Sequence, residues 1–492
     1  MRLLCVGDLH AGRRSSRVPA EIDGPSHACA AALDKAVDVA LAEKVDAVLF
    51  AGDVVDRANR FFEAFGPLER ALARLRAEAI PVVAVAGNHD FDVLSHLADS
   101  VGDERFRVLG GGGRFERTVL ETKSGRLCVD GWSFPTEHVR TDPLDAYDLP
   151  PVDDAPVVGL LHADPVDPDS RYAPTTFERL ESSPVHAWIV GHVHKPIWRA
   201  AHGEDAHGGP ASGGAGSGGA AVLVPGSVQA IHPRERGPHG VWILEIDRAG
   251  ARVEATQVPV STVRYDRVDV DLAGVTEVQE LESRVMEALR TLRDSILAED
   301  TAGNLRYLSV TPRFVGRTVL HRSLEAEAKR LVDELELADG SVLLRIDRVY
   351  VETRPAVELD DVARGRDPAG ILARAILDLE EEQGRARGRA GNGAVNGAIG
   401  GGAPRESLFD ESAFDDGRLD RGSLVSSVRE AAESVHRAKA YQAVSTDVPP
   451  GDGAARALAI DEGYRLLDAL LAQKEARDER DAGAAAAAGG AS

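Results

Sequence analysis

Five short stretches in the first two hundred residues end in side chains that bind metal ions. They read VGDLH closing at His10, AGDVVDR around Asp53, AGNHD around Asn88, LLHAD around His162 and VGHVH closing at His194. Each follows an apolar run of strand character and places Asp, His or Asn where that run stops. A single His after such a run is more often a core or turn residue, and a lone GD turn is common. Scattered core histidines would not arrive in this order and company. The candidate ligands are Asp8, His10, Asp53, Asn88, His162, His192 and His194. This mixture of oxygens and imidazoles suits Mn²⁺, Fe or Zn better than Ca²⁺ or a thiolate-rich zinc site. The set exceeds one coordination sphere but fills two if a carboxylate bridges, and paired ions about 3.5–4 Å apart clamp an in-line phosphoryl displacement. His27, His96, His138, His186, His202 and His207 are expected to be structural or loop residues.

The elements that must position these groups alternate between two periods. Apolar runs lie at 2–6, 47–51, 81–86, 157–161, 187–190, 221–224 and 240–246, with amphipathic helical patterns at roughly 28–43 and 62–79. That alternation predicts an α/β layered domain over 1–258. Functional groups of open α/β sheets gather beyond the carboxyl ends of the strands, so motifs distant in sequence can converge there. A Gly-, Ala-, Ser- and His-rich stretch, 201–220, reads as an inserted surface loop. Helix signals at 277–299 and 322–337, strands at 305–313 and 342–352, and a short helix at 368–384 predict a smaller α/β domain over 259–384. Residues 385–404 read as a flexible linker, 405–480 as a helical C-terminal segment and 481–492 as a disordered tail. In that segment Leu424, Val428 and Val435, then Ile460, Tyr464, Leu467 and Leu471, keep helical apolar spacing. Such a stripe fits a partner's groove or a fold-back onto its own domain.

A chain of 492 residues predicts two or three domains. Its net charge of -23 opposes non-specific attraction to nucleic acid, which draws on Lys and Arg neutralising phosphates. Arg13, Arg14 and Arg17 form a local basic cluster after the first motif, either guiding a phosphate backbone or simply solvated. Cys5, Cys29 and Cys128 form no CxxC pair, as expected of free thiols in a reducing compartment. Neither a secretory signal nor an apolar run of membrane-helix length is evident, so a soluble, cytoplasmic protein with no membrane contact is expected.

The ordered pattern D-x-H, G-D, G-N-H-D, H, G-H-x-H resembles the calcineurin-like metallophosphoesterase superfamily. The resemblance implies a layered sandwich of two sheets flanked by helices. Asp8, His10, Asp53 and His194 would hold one ion, and Asp53, Asn88, His162 and His192 the other, with Asp53 bridging. His89 would face the scissile phosphate and protonate the leaving oxygen, with Asp90 orienting it. Arg57 of GDVVDR would touch a phosphate. The first and third motifs depart from the phosphoprotein phosphatases, being GDLHAG and GNHD. The run PGSVQAIHPRERGPHG, 225–240, looks instead like the SbcD/YhaO group of bacterial DNA-repair exonucleases. Pro225, Gly226, Gln229, His232, Glu235, Gly237 and Gly240 match that group's pattern, and Ser227 departs from its Asn. The resemblance implies a Mn²⁺-dependent DNA exonuclease with two metal ions and a capping domain. It would form a homodimer and work with an SbcC-type ATPase, and His232 and Arg234 would either contact the DNA backbone or simply shape a turn, with Arg13 of the basic cluster as a further candidate contact. A small-molecule or nucleotide phosphoesterase is the alternative, and a scaffold that has lost its metals a third possibility.

Overall fold

The computed structural model describes residues 1–19, 27–56, 64–201 and 219–390, apart from 251, 301, 340–341 and 358, and most of 456–480. Arg57, most of the 201–220 insertion with His202 and His207, linker residues 391–404, Leu424, Val428, Val435 and the tail 481–492 lie outside the described residues.

Two compact units interleave along the chain rather than dividing at one point. The first comprises Met1–Asp269, Met286–Arg313 and Ala328–Tyr350. Its strands are β1 (Arg2–Val6), β2 (Ala47–Ala51), β3 (Val82–Val85), β4 (Phe106–Val108), β5 (Glu116–Thr122), β6 (Gly125–Trp132), β7 (Val157–His162), β8 (Ala187–Gly191), β9 (Ile197–Arg199), β10 (Ala221–Val224), β11 (Gly240–Ile246) and β12 (Val253–Pro259). They build two six-stranded sheets, ordered β12-β11-β1-β2-β3-β4 and β5-β6-β7-β8-β10-β9. Strands β1, β2, β3 and β4 are parallel neighbours in the first sheet, and β6, β7, β8 and β10 in the second.

Alternation along each strand explains why the apolar runs are continuous. Leu3 and Cys5, Leu49, Val83 and Val85 meet Val158, Leu160, Ile189 and Leu223 in a core between the sheets. The intervening Leu4, Val6, Val48, Phe50 and Val82 face outward against the helices Cys29–Ala42 (α1) and Phe65–Ala77 (α2). On the other sheet, Val157, Leu161, Trp188 and Val190 form a third layer with Leu180 and Phe134. Strands buried on both faces lose the polar alternation of a half-exposed sheet.

The β5–β6 hairpin and β12 were not expected from the sequence. β12 exposes Glu254 and Thr256 at alternate positions, and β5 buries Thr118 while exposing Glu116, Val119 and Glu121, which weakens the apolar signal of both. Strands β9 and β10 pair antiparallel, with Trp198 opposite Leu223, on either side of the inserted stretch. A further sheet runs in the order 263–271, 307–315, 342–346, 336–339. The helix expected over 322–337 spans Leu324–Glu334, and the residues after it turn into the edge strand Glu336–Asp339.

In the second unit, the helices Leu359–Val362 and Pro368–Ala390 enclose Ile376, Leu379, Ile460, Tyr464 and Leu467. The helix beginning at Pro368 therefore continues six residues into the expected linker, where Arg and Ala favour helix. Arg317 lies 4.2 Å from the Tyr464 ring centre, and the Tyr464 hydroxyl donates to Glu380 at 3.0 Å. This part of the C-terminal stripe folds back onto its own unit. Among the described residues no helix is long and apolar enough to cross a membrane.

Gly159 on β7 has no room for a side chain, because an added Cβ would overlap the buried Trp188 ring. Gly159→Val should cost roughly 1–3 kcal/mol of stability by overpacking, read by denaturant titration. An unchanged unfolding midpoint would show that the sheet yields there.

Candidate metal centre

The carboxyl ends of β1, β2 and β3 in one sheet and β7 and β8 in the other supply all five motifs. Three of the groups they bring together sit on left-handed backbone, at φ 47° for His10, 48° for Asp53 and 96° for His192. Non-glycine residues there are uncommon and cost about 1–3 kcal/mol each, so the surrounding packing must hold them. The motif glycines let the loops close. A Cβ on Gly52 would lie 2.5 Å from His162 Nδ1, and one on Gly191 would overlap the Ala51 carbonyl oxygen.

Several of these side chains lie close together. His10 Nε2 and His194 Nε2 approach to 3.1 Å beside Asp8. His162 Nε2 lies 3.1 Å from Asn88 Oδ1 and 3.5 Å from Asp53 Oδ2. Asp8 accepts the His192 backbone N–H at 2.9 Å, and Asp53 accepts that of His89 at 2.8 Å. Asp8, His10 and His194 form one compact donor group, Asp8, Asp53 and His162 a second, and His10, Asp53 and His89 a third. Asp8 thus lies close to both halves of the cluster, and His89 is within reach of it.

Each inward-facing imidazole has its other nitrogen turned to an oxygen outside the cluster. His162 Nδ1 meets the Ala51 carbonyl at 2.9 Å, His194 Nδ1 meets Glu235 Oε1 at 2.7 Å, His192 Nε2 faces Asp164 Oδ2 at 3.6 Å and His10 Nδ1 faces Asp56 Oδ2 at 3.4 Å. Outer oxygens of this kind fix the tautomer and orientation of metal-binding histidines. Burial pushes the Asp53 carboxyl well above its ordinary value, and the charges of Asp90 and Asp8 raise it further. Burial pushes His162 down to about 3. Buried carboxylates crowded against imidazoles are a donor set that divalent cations fit, and a donor set without thiolates favours the harder or borderline metals.

Asp90 is not where the sequence placed it. Its carboxylate accepts the backbone N–H groups of Val54, Val55 and Gly87, bracing the loops after β2 and β3. Burial lifts it to about 6 despite those donors. The residue facing His89 Nδ1 is Asp56, at 3.6 Å. Its only sequence signal was its position as the second Asp of GDVVDR. His89 itself is partly exposed, and burial followed by the neighbouring His10 pushes it down to about 4.

The expected DNA-contacting groups lie on the rim. Arg13 is partly exposed, with Nε 3.6 Å from Asp56 Oδ2. Arg17 leaves the basic cluster to pair with Asp347 at 2.7 Å. His232 and Arg234 are exposed on the turn that carries Glu235, and His232 Nδ1 accepts the Arg234 N–H at 3.1 Å. His138, taken as structural, stacks on Tyr172, whose ring centre is 5.0 Å from that of His192.

Residues 1–196 match the calcineurin-like phosphoesterase family, and residues 265–354 match the middle domain of the metallophosphoesterase YhaO. The chain is 26% identical over 265 residues to the metallophosphoesterase YhaO of Bacillus subtilis, covering 52% of this chain and 59% of that protein. It is 27% identical over 395 residues to the DNA double-strand break repair protein Mre11 of Haloferax volcanii, covering 77% and 76%. The crystal structure of the calcineurin-like phosphoesterase YfkN from Bacillus subtilis aligns with a TM-score of 0.30 at 13% identity, over 52% of this chain and 88% of that one.

Asp56→Asn should lower phosphoester turnover about 10- to 100-fold while the melting temperature holds. Steady-state kinetics equal to wild type would remove Asp56 from the site.

Proposed function

We propose that this chain, a member of the calcineurin-like metallophosphoesterase superfamily in its SbcD/YhaO-like group, is a Mn²⁺-dependent DNA-repair exonuclease. The convergence of five strand ends on one buried cluster of carboxylates and imidazoles carries the metal-dependent hydrolysis. The choice of DNA is supported by the run from Pro225 to Gly240, which delivers Glu235 to His194, and by a likeness to Mre11 that extends beyond the phosphoesterase domain.

Asp8, His10, Asp53 and His194 would hold one divalent ion, and Asp53, Asn88, His162 and His192 the other. Bound there, the ions supply an activated water and positive charge for the phosphate oxygens. His89 does the proton work. An arriving phosphodiester brings negative charge that favours the imidazolium, and Asp56 beside Nδ1 stabilises it further. That leaves Nε2 to give a proton to the leaving oxygen. Arg13, His232 and Arg234 line the approach for the nucleic acid backbone, with Arg57 as a further contact. Because the chain carries a net charge of -23, the affinity for DNA must come from these local groups and from the ions. We extend the proposal to a homodimer that works with an SbcC-type ATPase, which would carry part of the DNA contact.

The purified protein with Mn²⁺ should degrade linear duplex DNA and outpace its own action on nucleotides. Cleavage of p-nitrophenyl phosphodiesters or nucleotides with DNA left intact would move the protein to the small-molecule phosphoesterases. His89→Ala should reduce turnover by two or more orders of magnitude with both ions retained, measured by metal analysis. Loss of an ion in that variant would make His89 a ligand.

A further inference from the structure

We infer that Glu235 is a positioning residue that fixes the His194 ring and thereby sets the affinity of one of the two ion sites. The inference rests on the reading of the crevice as a two-ion centre.

His194 enters the crevice with Nε2 pointing inward, 3.1 Å from His10 Nε2, and Nδ1 pointing out. Glu235 Oε1 receives that outer nitrogen at 2.7 Å. The other oxygen of Glu235 accepts the Ile231 backbone N–H at 2.6 Å. Both carboxylate oxygens are therefore engaged away from the crevice, and the group that orients the ring is itself locked. Because an acceptor faces Nδ1, the ring's proton belongs there and the Nε2 lone pair is left for a cation.

The turn that carries Glu235 is braced in its turn. The Ser16 N–H donates to the Ile231 carbonyl at 2.7 Å, and Ser15 Oγ donates to the Ala230 carbonyl at 2.5 Å. Buried Gln229 donates to Ser15 Oγ and Thr262 Oγ1, each at 3.1 Å, and accepts the Thr262 N–H at 3.0 Å. The His162 ring, by contrast, is held by a backbone carbonyl that no side-chain substitution removes. The acceptor facing His192 stands at 3.6 Å, beyond hydrogen-bond range. Among the side-chain acceptors, Glu235 at 2.7 Å holds its ring most closely, against 3.4 Å for Asp56 at His10 and 3.6 Å for Asp164 at His192.

Glutamine has the same size but only one acceptor oxygen, whereas the two contacts of Glu235 both need an acceptor. With its oxygen on the Ile231 N–H, the amide of Glu235→Gln could only donate to Nδ1, which would move the ring proton to Nε2 and remove the lone pair a cation needs. Manganese binding to the full chain, measured by calorimetry and by metal analysis after equilibrium dialysis, tests the inference. Wild type should bind two ions. Glu235→Gln should weaken one of them about 10- to 100-fold and leave the other unchanged, with the melting temperature of the ion-free protein unaltered. Introduced into a His194→Ala background, the same substitution should cause no further loss, because its action passes through that ring.

Additive losses in the double variant would overturn the inference. So would wild-type affinity for both ions in Glu235→Gln, or a lower ion-free melting temperature with unchanged ion affinity, which marks a purely structural role. A wild-type protein that binds no divalent ion would instead bring down the two-ion reading along with the inference.

Discussion

The contact on which the crevice depends is the one between the Ala51 carbonyl and His162 Nδ1, at 2.9 Å. Ala51 ends β2 in one sheet and His162 ends β7 in the other. Their hydrogen bond links the two sheets at the carboxyl edge, where the motif loops emerge. Gly52 and Gly191 leave no space for side chains beside it. That closeness forces two carboxylates and several imidazoles into a buried volume where like charges would otherwise repel. Burial first, and then the charges of Asp90 and Asp8, raise the Asp53 carboxyl there. A divalent cation held among these groups would offset that charge.

The candidate metal-binding groups could be picked out in the sequence because parallel strands put functional residues at a fixed place, just past an apolar run. Asp8, Asp53, Asn88, His162 and His194 could be aligned to strand ends without knowing which strands were neighbours. The outer partners were harder to see. Asp56 lies on a loop with no periodicity, and Asp90 was assigned to His89 on adjacency in sequence. In fact three backbone N–H groups compete successfully for its oxygens. Glu235 is separated from His194 by forty-one positions, and only the fold shows that they touch.

The fold was read best where both faces of a strand are buried. The run AVLFA became β2 with the residues the pattern marked, whereas ERTVLET and VEATQVP were passed over. In VEATQVP the exposed Glu254 and Thr256 alternate with partly buried residues, and in ERTVLET a buried Thr118 and an exposed Val119 reverse the usual pattern, so neither run reads as apolar. The C-terminal stripe shows the complementary limit. Helical spacing identified Ile460, Tyr464 and Leu467 as a buried face, but spacing says nothing about what buries it. The answer was the chain's own helices, with Arg317 and Arg354 over the Tyr464 ring.

The antiparallel pairing of β9 with β10 brings Ile197 opposite Val224 and Arg199 opposite Val222. A chain that departs from β9 and returns on β10 does so between adjacent points, whatever its length. For a flexible connection, each doubling of length adds only about 0.6 kcal/mol of closure entropy. Foreign sequence spliced between β9 and β10, such as an affinity tag or a fluorescent domain, would therefore start and end at points the sheet already holds together. The catalytic edge would be anchored on both sides of the splice, by His194 before it and Glu235 after.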